Sequence, residues 1–284
     1  MTIAILITSH NRKNKTLQCL RALYAQKELA NIFNIEVFLV NDGSTDNTAI
    51  EVKLNFPNVN IIDGNGSLFW AGGMRKAWRE AIKTGIAFDY FLLLNDDTIL
   101  YENTIINLLK DYSLLDNKNS LLTAPTADPI LKNISYGGSK IIRNGFSQYS
   151  LMKPNNSSPQ LCNLANANIL LVPFSVFKKI GILSDKYTHG IADFDYSLRA
   201  NKNNIPTYLA SQSGGTCEND HGNNWKSSNS SSLKERIDYL YSPKGLAYHE
   251  YLHYIKTHFP LEYPIALTKL WLKTLFPIFW EKFK

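Results

Sequence analysis

The sequence predicts an α/β fold, with a doubly wound, mostly parallel central sheet flanked by helices. Two observations carry this. Short apolar runs (Ile3–Ile7, Ile35–Val40, Val59–Ile62 and Tyr90–Leu94) alternate with segments of helical periodicity. Each run also ends in polar, turn-forming residues, and a parallel topology gathers such ends on one edge of the sheet, where ligands bind.

The elements follow in order. Ile3–Ile7 reads as a buried strand opening into Thr8-Ser9-His10-Asn11-Arg12. Leu17, Leu20, Leu23 and Tyr24 then recur at helical spacing. The second strand ends in Asn41-Asp42-Gly43-Ser44-Thr45-Asp46, where Gly43 permits a sharp turn and Ser44 to Thr48 can cap a helix. The third runs into Gly64-Asn65-Gly66-Ser67 and Trp70-Ala71-Gly72-Gly73-Met74-Arg75, with a helix expected from Lys76 to Ile86. This loop has neither the dinucleotide glycine spacing nor a Gly-Lys-Ser/Thr phosphate loop.

The fourth run, Phe91-Leu92-Leu93-Leu94, is apolar at consecutive positions, as in a strand covered on both faces. It runs directly into Asn95-Asp96-Asp97-Thr98. Two adjacent carboxylates at a strand end are costly unless a positive group neutralises them, and a hard divalent cation holding a diphosphate does so. An acidic turn without a ligand is the plainer alternative.

Farther along, Ser120–Ala124, Gly138–Ile142 and Asn168–Val172 look β-like, and Lys153–Gln160 looks like a surface loop. Helices are expected at Phe174–Ile180 and Tyr196–Asn201. The second places Asp193 near a helix N-terminus, which favours an ionised carboxylate. Gly214–Ser232 has the composition of a flexible lid. After Gly245 aromatic residues and lysines dominate. Leu267, Leu270, Trp271 and Leu275 form a helical face beside Lys269 and Lys273, suited either to packing on the body or to a membrane surface.

Composition narrows the classes. Of 284 residues 44% are hydrophobic, enough for a sizeable core, and the net charge of +6 suits an anionic partner. The lysines are dispersed and no nucleic-acid motif accompanies them, so nucleic acid is not the expected partner. Cys19, Cys162 and Cys217 are too widely spaced for a zinc knuckle or a disulfide framework, which points to a reducing compartment. The N-terminus lacks a signal-like leader, and no apolar run reaches the roughly 18 residues of a spanning helix. The expected location is therefore cytoplasmic, with the inner membrane face as a resting place.

Four of these motifs, Thr8-Ser9-His10-Asn11-Arg12, Asn41-Asp42-Gly43-Ser44-Thr45-Asp46, Asn95-Asp96-Asp97 and Asp193-Phe194-Asp195, occur in the order and at the strand ends of a family-2 glycosyltransferase, and the chain resembles that family. Trp70–Arg75, His189, Gly215-Thr216-Cys217 and Ser242-Pro243-Lys244-Gly245 resemble a rhamnosyltransferase-like subgroup of bacterial surface-polysaccharide enzymes. The resemblance implies a GT-A domain over 1–245 and a helical, aromatic and basic extension over 246–284. It also implies inverting transfer from a nucleoside-diphosphate sugar (UDP- or dTDP-linked) to a glycan or lipid-linked glycan. A nucleotidyltransferase and a non-catalytic nucleotide-sugar-binding module are the alternatives.

The resemblance also assigns roles. Asp42 would accept a hydrogen bond from a pyrimidine base, and Thr8, His10 and Arg12 would line the nucleotide pocket, Arg12 being otherwise a solvated cation. Gly72 and Gly73 would let the backbone approach the donor. Arg75 would touch the donor or start a helix. Asp97 would ligate magnesium or manganese, with Asp96 supporting the metal or the ribose. His221 would reach the metal or sit solvated in the lid. Asp193 would be the catalytic base, with Asp195 a rival that more naturally anchors its helix. His189 would orient Asp193 or pack in a loop, and Trp70 would wall the sugar or fill the core. The tail leaves membrane contact and a second copy of the chain open.

Overall fold

The computed structural model describes residues 1–27, 32–219 and 231–278. In its N-terminal part, strands β1 (Thr2–Ser9), β2 (Asn34–Asn41), β3 (Asn60–Asp63) and β4 (Tyr90–Leu94) alternate with helices α1 (Lys13–Tyr24), α2 (Thr48–Asn55) and α3 (Phe69–Lys83). A middle region follows: β5 (Ile99–Leu100), α4 (Thr104–Leu114), β6 (Leu121–Thr123), β7 (Thr126–Ala127), β8 (Ile134–Tyr136), β9 (Gly138–Ile141), β10 (Tyr149–Leu151), β11 (Gln160–Cys162), β12 (Leu164–Ala165) and β13 (Ile169–Pro173). The last part comprises α5 (Phe174–Ile180), α6 (Ala192–Lys202), β14 (Thr207–Leu209), β15 (Gly215–Thr216), α7 (Leu233–Tyr241), α8 (Tyr248–His258) and α9 (Tyr263–Leu275).

The main sheet has the order β11-β14-β6-β13-β4-β1-β2-β3. Its half from β4 to β3 is parallel, as the strand–helix alternation predicts. On the other side β13 runs antiparallel to both β4 and β6, so the sheet is mixed beyond β4.

The apolar run at β4 is buried on both faces because its side chains alternate. Leu92 and Leu94 join Ile3, Ile5 and Ile7 under α1 and α4. Phe91 and Leu93 join Ala4 and Leu6 under Met74, Ala77 and Trp78 of α3 and Tyr196 of α6. Each fully buried side chain of this size contributes about 1.5–3 kcal/mol, so two opposed cores fix the sheet and, with it, the strand ends.

A third cluster joins the C-terminal helices to this body. Leu240, Leu252, Ile255, Phe259 and Leu270 pack with Ala71 of α3, Tyr187, and Ala192 and Leu198 of α6. On α9, Leu270 is buried and Leu267 and Trp271 pack against the cluster, whereas Leu275 is exposed, as are Ile265 and Leu272. Among the described residues no helix is long and apolar enough to cross a membrane.

One element starts earlier than its sequence suggests. Trp70–Arg75 is helical, because α3 begins at Phe69. The start is set from a distance: the Asp42 carboxylate, at the tip of β2, accepts from the amides of Leu68 (2.9 Å) and Phe69 (3.0 Å). An acidic side chain at these unpaired first amides acts as a helix cap.

Candidate active site

The loops after β1 and β2 are tied together. Asn11 adopts a left-handed conformation (φ 51°). From there its Oδ1 accepts from the Thr45 amide (2.7 Å), while its own amide donates to the Ser44 hydroxyl (3.0 Å). His10, exposed at the rim, pairs its Nδ1 with the Asp42 carbonyl at 2.6 Å. Asp42 itself is 2% exposed, and besides the start of α3 it accepts from the Gly66 amide (2.8 Å). Three backbone amides thus hold the carboxylate expected to read the base, and through them it shapes the 64–69 loop.

The residues expected beside the donor sugar are also committed elsewhere. A Cβ on Gly73 would lie 2.3 Å from Thr8 Cγ2 and 2.5 Å from Thr8 Oγ1, so glycine there lets α3 approach β1. Thr8 is correspondingly buried beneath the helix. The Gly72 amide lies 3.4 Å from the Thr188 carbonyl, and Arg75 Nη1 donates to the carbonyls of Ser184 and Tyr187, each at 2.7 Å. Arg75 therefore fastens the loop that precedes α6. Trp70 is partly buried and donates from Nε1 to Asn95 Oδ1 (2.8 Å), which ties α3 to the end of β4. Gly73→Ala is expected to cost about 1–3 kcal/mol through overpacking. Gly72→Ala should be close to neutral, since its nearest neighbour, Leu68 Cβ, is an ordinary contact at 3.4 Å. Urea denaturation of the two variants checks the contrast.

At the end of β4 the carboxylates differ. Asp96 is 5% exposed, within 3.4 Å of the Thr16 hydroxyl, which in turn pairs with Ser9 at 2.7 Å. Burial first, and Asp97 second, raise its pKa to about 6, against the opposing pull of Arg12 and of the Ser9 and Thr16 hydroxyls. Asp97 meets Arg12 Nη1 at 2.5 Å, and the same nitrogen lies 3.5 Å from Asp96.

Sequence reading gave no site role to the two thiols here. The Cys217 thiol sits 3.5 Å from Asp97 Oδ1, and Cys19 donates to the Asn95 carbonyl at 3.3 Å. Burial first, then the neighbouring carboxylates, push the Cys217 thiol up to about 12 and Cys19 well above its ordinary value, so both are neutral at physiological pH. The Gly215-Thr216-Cys217 motif was the available signal for Cys217. His221 lies outside the described residues.

Asp193 stands in the first turn of α6, after Ile191 in a left-handed conformation (φ 67°). Its oxygens accept from the amides of Phe194 (2.9 Å) and Ala167 (3.2 Å) and lie 3.4 Å from Asn166 Nδ2. Burial raises its pKa, and these donors oppose the rise. The neighbouring Asn168 accepts at its carbonyl from the Asn95 amide (3.1 Å) and reaches Cys217 with its side chain (3.4 Å). Residues 166–168 therefore link Asp193 on one side to the Asp96–Asp97 turn on the other. No sequence signal singled out Asn166.

Asp195, two residues on, points away into the fold. Its oxygens receive Arg199 Nε (2.8 Å) and Tyr187 Oη (3.2 Å) and pair with His258 Nε2 (2.8 Å). These contacts tie α6 to Tyr187 and to His258 of α8. His189 packs against Phe69, ring centroids 6.1 Å apart, with the Lys244 ammonium 5.9 Å from that same ring. Burial, then the cations Lys244 and Arg12, hold His189 below its usual pKa, so its imidazole is neutral near pH 7. Lys244 thereby joins the site from the Ser242-Pro243-Lys244-Gly245 segment.

Known proteins resemble this chain in sequence and fold. The profile of Glycosyl transferase family 2 matches residues 4–143. An uncharacterized glycosyltransferase of Rickettsia felis is 28% identical over 196 residues, 64% of this chain and 29% of the relative. The poly-β-1,6-N-acetyl-D-glucosamine synthase of Staphylococcus epidermidis is 25% identical over 217 residues, 69% of this chain and 50% of the relative. This chain thus spans half or less of these two curated relatives. Among solved structures, S. aureus TarS 1–349 in complex with UDP superposes with a TM-score of 0.53 at 13% identity, covering 76% of this chain and 59% of that one. The structural likeness establishes a shared GT-A fold.

Proposed function

We propose that this chain, whose residues 4–143 match the profile of Glycosyl transferase family 2, moves a sugar, with inversion, from a UDP- or dTDP-linked donor to a glycan or lipid-linked glycan in surface-polysaccharide synthesis. One observation carries the reading: Asp193, a part-buried carboxylate of raised pKa, is held by residues 166 and 167 while Asn168 holds the turn bearing Asp96 and Asp97. On this reading one segment supports both the base and the diphosphate side, which suits a single in-line displacement.

Asp193 takes the proton of an acceptor hydroxyl. That oxygen bonds to the anomeric carbon as the bond from this carbon to the phosphate oxygen breaks, and the electron pair departs on the nucleoside diphosphate. Arg12 and Lys244 supply positive charge at the same mouth, and Arg12 is available to exchange Asp97 for a diphosphate oxygen. The UDP held by TarS 1–349 and the polysaccharide named for the S. epidermidis relative support this donor and product class.

A divalent cation fits the donor set in one form. Asp97 offers hard oxygen at the mouth of the site, yet no group of three or more His, Cys, Asp or Glu among the described residues could cage a metal. Such an ion would take its remaining ligands from diphosphate and water, as magnesium commonly does. When bound, it would neutralise the charge of the leaving diphosphate.

Calorimetric titration with UDP, dTDP and GDP, each with and without manganese, tests the reading. Metal-dependent binding of UDP or dTDP is expected, and Asp97→Ala should weaken it at least about tenfold, since charge-assisted contacts contribute 1.5–3 kcal/mol. Absence of nucleotide binding, or an affinity unaffected by Asp97→Ala, would overturn it.

A further inference from the structure

We propose that the ring of Tyr149, buttressed edge-to-face by Phe194, is a platform beside Asp193 on which an uncharged pyranose ring of the acceptor stacks while presenting its hydroxyl to the base. The inference rests on the transferase reading and adds where the acceptor lies and what class of sugar it carries. Tyr149 is 48% exposed, on a strand whose three residues all face solvent. Its ring meets that of Phe194 at a centroid distance of 5.1 Å and an interplanar angle of 83°. Phe194 follows the base in sequence and donates its amide to the Asp193 carboxylate. An exposed aromatic alone would need no explanation. This one adjoins a carboxylate that, among the described residues, has no ion-pair partner and accepts from three neutral amides.

The platform and the base share one support. β10 pairs with β9 through Tyr149 and Ile141, and β9 pairs with β12 through Gly138 and Ala165. The two residues after β12, Asn166 and Ala167, are those that hold Asp193. Ring and carboxylate are thereby fixed relative to each other through a short sheet, as positioning a hydroxyl for deprotonation demands. The electrostatics agree: Tyr149 has a pKa raised first by burial and then by Asp193. Pyranoses carry apolar C–H faces and polar edges, and an amphipathic aromatic wall with one carboxylate is complementary to both. The negative carboxylate disfavours an acidic sugar ring at the same position.

The test uses the full chain, saturated with UDP and manganese, on an array of immobilised uncharged hexopyranosides, N-acetylhexosaminides and uronic acids. The wild type should bind a subset of the uncharged sugars. Tyr149→Ala should lower that signal about tenfold, the scale of one lost aromatic contact, and Tyr149→Phe should retain it. UDP affinity, measured by calorimetry, should be the same in all three proteins, which also reports that the variants are folded. If UDP binds normally and the wild type binds no uncharged pyranoside, prefers uronic acids, or is unaffected by Tyr149→Ala, the platform is wrong and the transferase reading stands. If Tyr149→Phe is as impaired as the alanine variant, the hydroxyl rather than the ring does the work and stacking is overturned. If none of the nucleotide diphosphates binds, the transferase reading itself fails, and the platform with it.

Discussion

Asp193→Asn is expected to lower sugar transfer by about a thousandfold, within the range a positioned base contributes, while leaving nucleotide affinity unchanged. The substitution keeps the size of the side chain, and its single Oδ1 can still accept from one of the Phe194 and Ala167 amides, which the carboxylate takes on separate oxygens. What it removes is the ability to take a proton. At neutral pH two effects on fold stability oppose each other, the loss of one backbone hydrogen bond and the relief of a buried charge. Burial raises the Asp193 pKa, so the folded state holds its proton more tightly than the unfolded chain does. The cost of an ionised carboxylate in this position therefore appears as pH rises through the raised value, and a neutral amide avoids it. The same shift predicts the pH profile. Transfer needs the ionised base, so the acid limb of kcat should lie above the ordinary carboxylate range near 4. Single-turnover transfer measured beside calorimetric nucleotide binding separates the two roles. Full transfer by the variant, or a folded variant that no longer binds nucleotide, would remove Asp193 from the position of base.

What the sequence revealed and what it hid have physical causes. The strands were legible because burial on one or two faces imposes a local pattern, as in Phe91–Leu94, whose alternate side chains enter opposite cores. The polar strand ends were legible because each follows its strand immediately. Contacts across long separations were not. The start of α3 at Phe69 depends on a cap from Asp42, and no local residue announces it. The glycine pair in that helix looked like a ligand approach, but Gly73 answers to Thr8, a partner on a different strand. Arg75 looked like a donor contact because a cation near a glycine-bearing loop suggests phosphate, whereas its partners are two carbonyls more than a hundred residues away. Asn166 was invisible for a related reason: a single asparagine before a strand carries no spacing that distinguishes it from a turn residue.

Asp195→Ala is the substitution expected to cost most stability, about 3 kcal/mol or more at pH 7. The carboxylate is 4% exposed and holds Arg199 and His258, the latter 1% exposed, on opposite oxygens. Removing one member of a buried charged cluster leaves its partners uncompensated, and such losses typically reach about 3–5 kcal/mol. Arg199 keeps its bonds to the carbonyls of Ile180 (2.9 Å) and Ile182 (2.8 Å), which places the expectation at the lower end. Burial alone would raise the Asp195 pKa, but His258 and Arg199 outweigh it and the net shift is downward. Its contribution is therefore present above the unfolded carboxylate value near 4 and is lost as pH falls through the lower folded value. The gap between wild type and variant should be widest near neutrality and should close in acid. Urea denaturation at pH 7 and pH 3 measures both points, and a difference below about 1 kcal/mol at pH 7 would mean that the cluster is not the tie described here. The consequence reaches the active site. Through His258 this carboxylate fastens α8 to α6, and the first turn of α6 carries Asp193. A folded Asp195→Ala protein should thus lose transfer rate while nucleotide affinity holds, because the turn that carries Asp193, the proposed base, is loosened and the Arg12–Asp97 side is left as it was.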